Sequence, residues 1–216
     1  MRLPRARWRG APPAIAPHPD AKRIFDIGVS LGLLALFSPV LAVIAAAIKR
    51  DDPEGPVLFT QERVGRGGVP FRIHKFRTMR PDAPGLQVTS AGDPRVTGVG
   101  KVLRASKLDE LPQLWDVLVG SMSLVGPRPE VPKYVALWPT AERDIILSVR
   151  PGITDPASVR WRHESEELAA AADPEEHYVQ VLLPEKARMY AAYVQTRSFW
   201  GDLVVLARTA VAVGRG

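Results

Sequence analysis

Between Asp26 and Lys49 the chain runs for 22 residues without a charge. At ~1.5 Å of rise per helical residue, this run, IGVSLGLLALFSPVLAVIAAAI, is just long enough to cross the ~30 Å hydrocarbon core of a bilayer. Two features set it apart from a simple span. Ser38-Pro39 lies in its middle, and basic pairs flank both ends, Lys22-Arg23 and Lys49-Arg50. Pro39 has no N–H and its ring collides with the carbonyl of Ala35, so the helix is predicted to break or kink near Ser38, whose hydroxyl can serve the freed backbone groups. Each half, about 12 residues, is too short to span. Positive residues favour the cytoplasmic side, so a re-entrant helix-break-helix that enters and leaves by one leaflet satisfies both flanks, where a span satisfies one.

Composition bounds the rest. The 216 residues are 46% hydrophobic, contain no cysteine and carry a net charge of +6. That leaves room for a packed domain, excludes disulfides and zinc-thiolate sites, and points to anionic partners such as acidic lipid headgroups, phosphorylated metabolites or nucleic acid. Residues 1–21, rich in Pro and Arg, read as a flexible basic arm. Residues 22–50 read as a membrane anchor, because the apolar run is too long for a signal-peptide core and no cleavage site follows it; a buried globular helix is the alternative. Residues 51–216 read as a catalytic domain.

Within that domain, Val57 to Gln61 and the segment after GRGG (65–68) predict a β-hairpin. A polar loop follows from Pro81 to about Gly98. Leu108, Leu111, Leu114, Trp115 and Leu118 then recur at helical spacing, and GPRPE is expected to end that helix. A second Gly/Pro-rich block, RPGITDP, covers 150–156. The acidic, Ala-rich stretch from Glu164 to Glu176 reads as solvated helix or loop. The C-terminal region predicts two helices separated near Arg197-Ser198, the last suited either to a membrane interface or to packing on the domain. The fold class is therefore α+β and mostly helical, with a small β-hairpin and amphipathic interfacial helices beside the anchor.

The stretch SKLDELPQL carries the most chemical information. Pro112 is tolerated only in the first turn of a helix, which puts Asp109 and Glu110 at or near a helix N-terminus. There the free N–H groups stabilise a carboxylate and attract phosphate, and an ionised Asp can attack phosphorus; an ordinary acidic N-cap is the structural alternative. Arg104 lies five residues earlier, Arg128 and Arg150 sit on Pro/Gly-fixed turns, and Lys75 and Arg77 lie in FRIHKFRTM. Guanidinium groups held on turns suit bidentate capture of phosphate oxygens. Asp109 and Glu110 among these cations suggest a Mg²⁺ shared with a diphosphate. His74 and His163 lack a second ligand at metal spacing and read as structural or surface residues. No Walker A, GxGxxG, HExxH or GxSxG sequence is present, which argues against the commonest ATPase, dehydrogenase, metalloprotease and hydrolase chemistries.

In order and spacing, KRIFDIGVS, GPVLFTQERVGRGGVPFRIHKFRTM, LRASKLDELPQLWDVLVGSMSLVGPRPE and RPGIT resemble the bacterial sugar transferase domain of the monotopic phosphoglycosyl transferases. The resemblance covers about Lys22 to Arg208, and the length leaves no room for the multi-helix membrane domain of the family's large members, so it is to the small form. It implies transfer of a sugar-1-phosphate from a UDP-sugar to undecaprenyl phosphate, with release of UMP, at the cytoplasmic face of a bacterial inner membrane. It implies Asp109 as nucleophile through a covalent phosphosugar-aspartyl intermediate, with Glu110 as its partner through Mg²⁺ or proton handling. Arg104, Arg128, Arg150, Lys75 and Arg77 would bind phosphates or uridine diphosphate, and the re-entrant break would lie at Ser38-Pro39. After RPGIT many members read Gly-Trp-Ala-x-Val where this chain has DPASVRWRHE, which bears on sugar or uridine specificity. The expected partners are UDP-sugar, undecaprenyl phosphate and membrane lipid, with no nucleic acid; the oligomeric state is open, a homodimer included. The competing class is a non-catalytic, membrane-anchored basic adaptor for acidic lipid or nucleic acid, which would not depend on Asp109.

Overall fold

The computed structural model describes residues 20–80 and 91–214. Most of the predicted basic arm and the first part of the polar loop after Pro81 lie outside them. The first element, α1 (Asp20–Asp51), is a single 32-residue helix that keeps helical backbone through Pro39. Of the break or kink expected at Ser38-Pro39, the break is absent: the two halves are joined in one hydrogen-bonded element. The backbone defect is met locally: the carbonyl of Ala35, which Pro39 cannot serve, accepts a 2.8 Å hydrogen bond from Ser38 Oγ.

Both ends of α1 are fastened to the same domain. At its start Lys22 Nζ donates to Asp202 at 2.5 Å and Arg23 donates to the carbonyls of Val117 and Leu118 at 2.7 and 3.0 Å. Asp26, buried, accepts from Ser123 Oγ at 2.7 Å. Towards its end Ile44 and Ile48 are buried against Phe76 and Leu103. Between them the outward side is bare: Leu36 and Val43 are 70% and 69% exposed. Among the described residues, α1 is the one helix long and apolar enough to cross a membrane.

The predicted hairpin is present and longer than its sequence signal. β1 (Leu58–Val64) pairs antiparallel with β2 (Pro70–Phe76), in register from Leu58 opposite Phe76 to Val64 opposite Pro70. Gly67 and Gly68, both at positive φ, make the turn. The continuous helix expected around DELP is divided. α2 (Gly98–Ala105) is followed by a reversal at Lys107 in left-handed conformation, a 3₁₀ turn over Leu108–Glu110, and α3 (Gln113–Val119). Gly120, at φ 93°, ends α3 ahead of the GPRPE block expected to do so. On α3 the face is also rotated from expectation, since Val117 is fully buried and Trp115 is 55% exposed.

No pattern in the sequence signals the second sheet. β3 (Ser123–Val125) pairs in parallel with β4 (Gly152–Thr154), each too short for period-2 patterning to register. This pairing joins GPRP to RPGIT: Gly126 N donates to Thr154 O at 3.0 Å and Gly152 N to Pro127 O at 2.9 Å. The larger core cluster lies on α4 (Pro132–Val135), α5 (Thr140–Ile146), α6 (Pro156–Arg160), α7 (Glu164–Ala170) and α9 (Leu183–Thr196), with Val135 and Ala187 fully buried. The solvated 164–176 stretch holds α7 and α8 (Pro174–His177), and α9 and α10 (Phe199–Gly214) separate where expected.

The approach of the two motif loops is too close for a side chain. A Cβ on Gly152 would lie 2.1 Å from Gly126 N and 2.4 Å from Gly126 O, both backbone atoms with no rotamer to escape through. Gly152→Ala is expected to destabilise the fold by about 2–3 kcal/mol, read as an earlier denaturant midpoint by circular dichroism in detergent. An unchanged midpoint would refute the close approach.

Candidate active site

The site is built where β2, the GPRP loop and the end of α2 converge on the turn before α3. The Lys107 reversal and the 3₁₀ turn place Asp109 and Glu110 ahead of Pro112, which occupies the cap position of α3. β2 presents Lys75, whose Nζ donates to Glu110 Oε1 at 2.7 Å. The GPRP loop, fixed by the β3–β4 pair, presents Arg128, whose two terminal nitrogens both reach the Glu110 carboxylate, Nη1 to Oε2 at 3.3 Å and Nη2 to Oε1 in a short contact. Glu110 therefore ties three separate segments together.

Arg104 reaches the same turn from α2. Thr97 caps that helix, accepting from Gly100 N at 3.0 Å, and Gly100 lies so close to Thr78 O that a Cβ there would be 2.1 Å away. Thr78 Oγ1 in turn accepts from Arg104 Nε at 2.9 Å. This leaves the terminal nitrogens of Arg104 free of protein partners among the described residues, and Asp109 is the strongest counter-charge acting on it.

The two adjacent carboxylates are in opposite electrostatic states. Burial alone would raise Glu110, but Arg128 and Lys75 outweigh it and hold its carboxyl well below the ordinary range. Asp109 is 8% exposed and accepts no side-chain hydrogen bond among the described residues. Burial, then the Glu110 charge, push its pKa up, against the pull of Lys75, Arg104 and Arg128. A carboxylate with free lone pairs, desolvated and facing cations, is a nucleophile or a metal ligand in waiting. Among the described residues no group of three or more His, Asp or Glu is arranged to hold a metal ion. A Mg²⁺ at this turn would take Asp109 and draw its other ligands from substrate phosphates, a donor set that ion accepts; Glu110 is already engaged by two cations.

Two of the predicted cations lie elsewhere. Arg77, 5% exposed, donates to Pro56 O at 2.6 Å and Asp52 O at 2.8 Å and pairs with the Asp52 carboxylate, closing the loop from α1 to β1. Arg150 donates from Nε to Gly120 O at 2.9 Å, at the far end of α3. His74 is a structural tie: its ring Nδ1 lies 2.6 Å from Asp116 Oδ1 and its backbone N donates to Asp116 Oδ2 at 2.9 Å. Exposed His163 pairs with Glu166 at 3.0 Å.

Local sequence patterns do not reveal the residues that brace this site. Thr78 positions Arg104, and its only signal is membership of FRTM. Glu130 of GPRPE accepts from Tyr178 OH at 2.6 Å and pairs with Arg63 at 3.3 Å, partners no local pattern could supply. Asp155, fully buried, caps α6 by accepting from Ala157 N at 2.6 Å and Ser158 N at 3.0 Å, which explains the acid at the start of the divergent DPASV segment.

Keeping Asp109 buried costs stability. Its pKa is raised in the folded state, so folding favours the protonated form, and stability falls as pH rises from the ordinary value of 3.8 through the folded pKa. Asp109→Asn is therefore expected to raise the thermal midpoint by a few degrees at pH 7 and above, with the gain shrinking as pH falls below about 4. A lower midpoint at pH 8 would contradict the burial assignment.

Comparison with known proteins places the chain in a family. A model of the family "Bacterial sugar transferase" matches residues 18–216. UDP-glucose:undecaprenyl-phosphate glucose-1-phosphate transferase of Caulobacter vibrioides is 40% identical over 201 residues, covering 87% of this chain and 67% of that protein. UDP-N-acetylgalactosamine-undecaprenyl-phosphate N-acetylgalactosaminephosphotransferase of Aeromonas hydrophila is 38% identical over 190 residues, 87% of this chain. The glucose-1-phosphate transferase of Escherichia coli K12 is 37% identical over 190 residues, 86% of this chain. The chain spans 42% and 38% of the length of these last two. With a family match over nearly its whole length and a relative 40% identical across 87% of it, the chain belongs to the bacterial sugar transferase family.

Proposed function

We propose that this protein moves a sugar-1-phosphate from a UDP-sugar to undecaprenyl phosphate, releasing UMP, through a covalent intermediate on Asp109. The observation that carries the proposal is a buried Asp109 carboxylate that accepts no side-chain hydrogen bond among the described residues, among the charges of Arg104, Arg128 and Lys75. The relatives' names differ in their sugar, glucose in one and N-acetylgalactosamine in another, and what they share is a UDP-sugar donor.

In the first step an Asp109 oxygen attacks the phosphorus that bears the sugar. The bond from that phosphorus to the bridging oxygen breaks, and UMP leaves with the oxygen and the electron pair. In the second, a phosphate oxygen of undecaprenyl phosphate attacks the same phosphorus, the bond to Asp109 breaks, and the free carboxylate returns. Dividing the transfer lets a soluble and a lipid substrate react in turn at one place. The open terminal nitrogens of Arg104 face Asp109 and suit the equatorial phosphoryl oxygens, where charge must be stabilised. Glu110 is read as the anchor that aims Lys75 and Arg128, since a carboxyl held well below its usual range is a poor proton acceptor. Mg²⁺ bound at Asp109 would supply charge neutralisation on the diphosphate.

α1 is read as a re-entrant anchor in the inner membrane, with the catalytic domain on the cytoplasmic face. A straight span sets its ends on opposite sides of a bilayer, whereas in this chain Lys22 and Ile48 both pack on one domain. The bare outward side of α1 and the exposed Trp200 and Val204 of α10 suit contact with lipid.

In detergent with undecaprenyl phosphate, the protein is expected to release UMP from at least one UDP-sugar over many turnovers. Asp109→Asn should reduce this by at least about 10³-fold and Arg128→Ala by about 10²-fold. Full turnover by Asp109→Asn would remove the nucleophile assignment, and salt-sensitive binding of acidic lipid or nucleic acid spread over the Lys/Arg positions and unchanged by Asp109→Asn would favour the adaptor. For the anchor, cysteines placed from Leu36 to Val43 should resist a periplasmic thiol reagent; labelling there would establish a span.

A further inference from the structure

Three arginines meet at the C-terminal end of α3, away from Asp109. Arg23, from the start of α1, spends Nη1 and Nη2 on the carbonyls of Val117 and Leu118. Arg150 bonds Gly120 O through Nε. Arg66 stands on the hairpin turn, which is held beside them because Gly67 N donates to Leu147 O at 2.7 Å, three residues before Arg150. Burial, then the charges of Arg66 and Arg23, press the Arg150 guanidinium below its usual pKa, and Asp26 is the acid that opposes them.

Capping α3 explains part of this cluster and leaves the rest. Carbonyls at a helix C-terminus favour nearby cations, which accounts for Arg23 and for Nε of Arg150. It does not account for the two terminal nitrogens of Arg150 or for the exposed guanidinium of Arg66, none of which has a hydrogen-bond partner among the described residues. Asp26 balances them in part, its pull on Arg150 being weaker than the push of Arg66 or Arg23. An excess of positive charge with planar donors left open is the signature of a phosphate site. Its place is informative too: Arg23 marks the first residues of the apolar helix, and Phe25 packs edge-on against Phe199, which packs against the 75%-exposed Trp200. Aromatic residues beside basic ones at the head of an apolar helix mark headgroup depth.

We propose that Arg66 and Arg150, backed by Arg23, form a phosphate-binding site separate from the catalytic turn, and that it takes the phosphate of an anionic lipid headgroup. The headgroup assignment rests on α1 lying in a membrane; the phosphate site itself does not. Occupied, it would fix the rotation of the domain about α1 and hence the height of Asp109 above the bilayer.

Native mass spectrometry of the full chain in detergent, titrated with phosphatidylglycerol or with phosphatidylcholine of the same acyl chains, tests this. One saturable phosphatidylglycerol adduct is expected, favoured over phosphatidylcholine. Arg66→Gln, at an exposed and unbonded position, should weaken it about fivefold, the worth of one arginine at an anionic surface. Arg66→Gln with Arg150→Gln should abolish the preference, while Arg50→Gln at the other end of α1 should not change it. Inorganic phosphate is the second probe: binding that depends on Arg66, without discrimination between the lipids, assigns the site to soluble phosphate and overturns the headgroup. Equal adducts for both lipids with no phosphate binding, or indifference to the double substitution, overturns the site. Carbonate extraction of wild-type membranes checks the anchor separately, because release of the chain would remove the anchor reading and leave the phosphate arm standing.

Discussion

The Glu110 carboxylate holds Lys75 and Arg128 at once, and the site exists because of that junction. Lys75 arrives on the hairpin and Arg128 on the loop fixed by β3 and β4, while Glu110 stands on the turn before α3. Removing the carboxylate would leave two partly buried cations beside each other without the acid that bonds both, a state far costlier than the loss of an exposed ion pair. The cluster also sets the division of labour between two neighbouring acids. Glu110 is kept ionised and occupied, so Asp109 is left desolvated and, among the described residues, without a bonded partner.

The same logic of fixed frame and exposed function extends to the anchor. α1 is joined to the domain by Lys22, Arg23 and Asp26 at one end and by Ile44 and Ile48 at the other, so the orientation of its bare face fixes the orientation of the DELP turn. Arg23 serves both systems, since it caps α3, the helix that starts just after Asp109. An apolar helix that docks this way is a reference surface for the site as well as an attachment.

What is legible in the sequence is what local rules govern. The hairpin shows through its alternation and its GRGG turn, the α9–α10 boundary through its polar interruption, and the Asp109-Glu110 turn through Pro112. The run from 108 to 118 misleads because its apolar spacing is helical across the 3₁₀ turn at 108–110, and the left-handed Lys107 that sets up that turn leaves no pattern. At Pro39 the local rule predicts a break or a kink, and the break is absent because Ser38 bonds Ala35 and the helix packs on both sides of it. Arg77 and Arg150 look equivalent to Arg128 because all three are cations of the motif segments, two of them on turns, and only the tertiary partners, Asp52, Gly120 and Glu110, tell them apart. The β3–β4 pair is invisible because its evidence is a contact between two glycines 26 residues apart.

Intact-mass measurement of the purified protein exposed to a UDP-sugar without lipid acceptor tests the central claim most directly. The expected result is a gain equal to one phosphosugar, mapped by peptide fragmentation to Asp109, discharged on adding undecaprenyl phosphate and absent from Asp109→Asn. UMP formed only when donor and acceptor are present together, with no mass gain on the protein at any time, would contradict a covalent Asp109 and mean that the two substrates react directly.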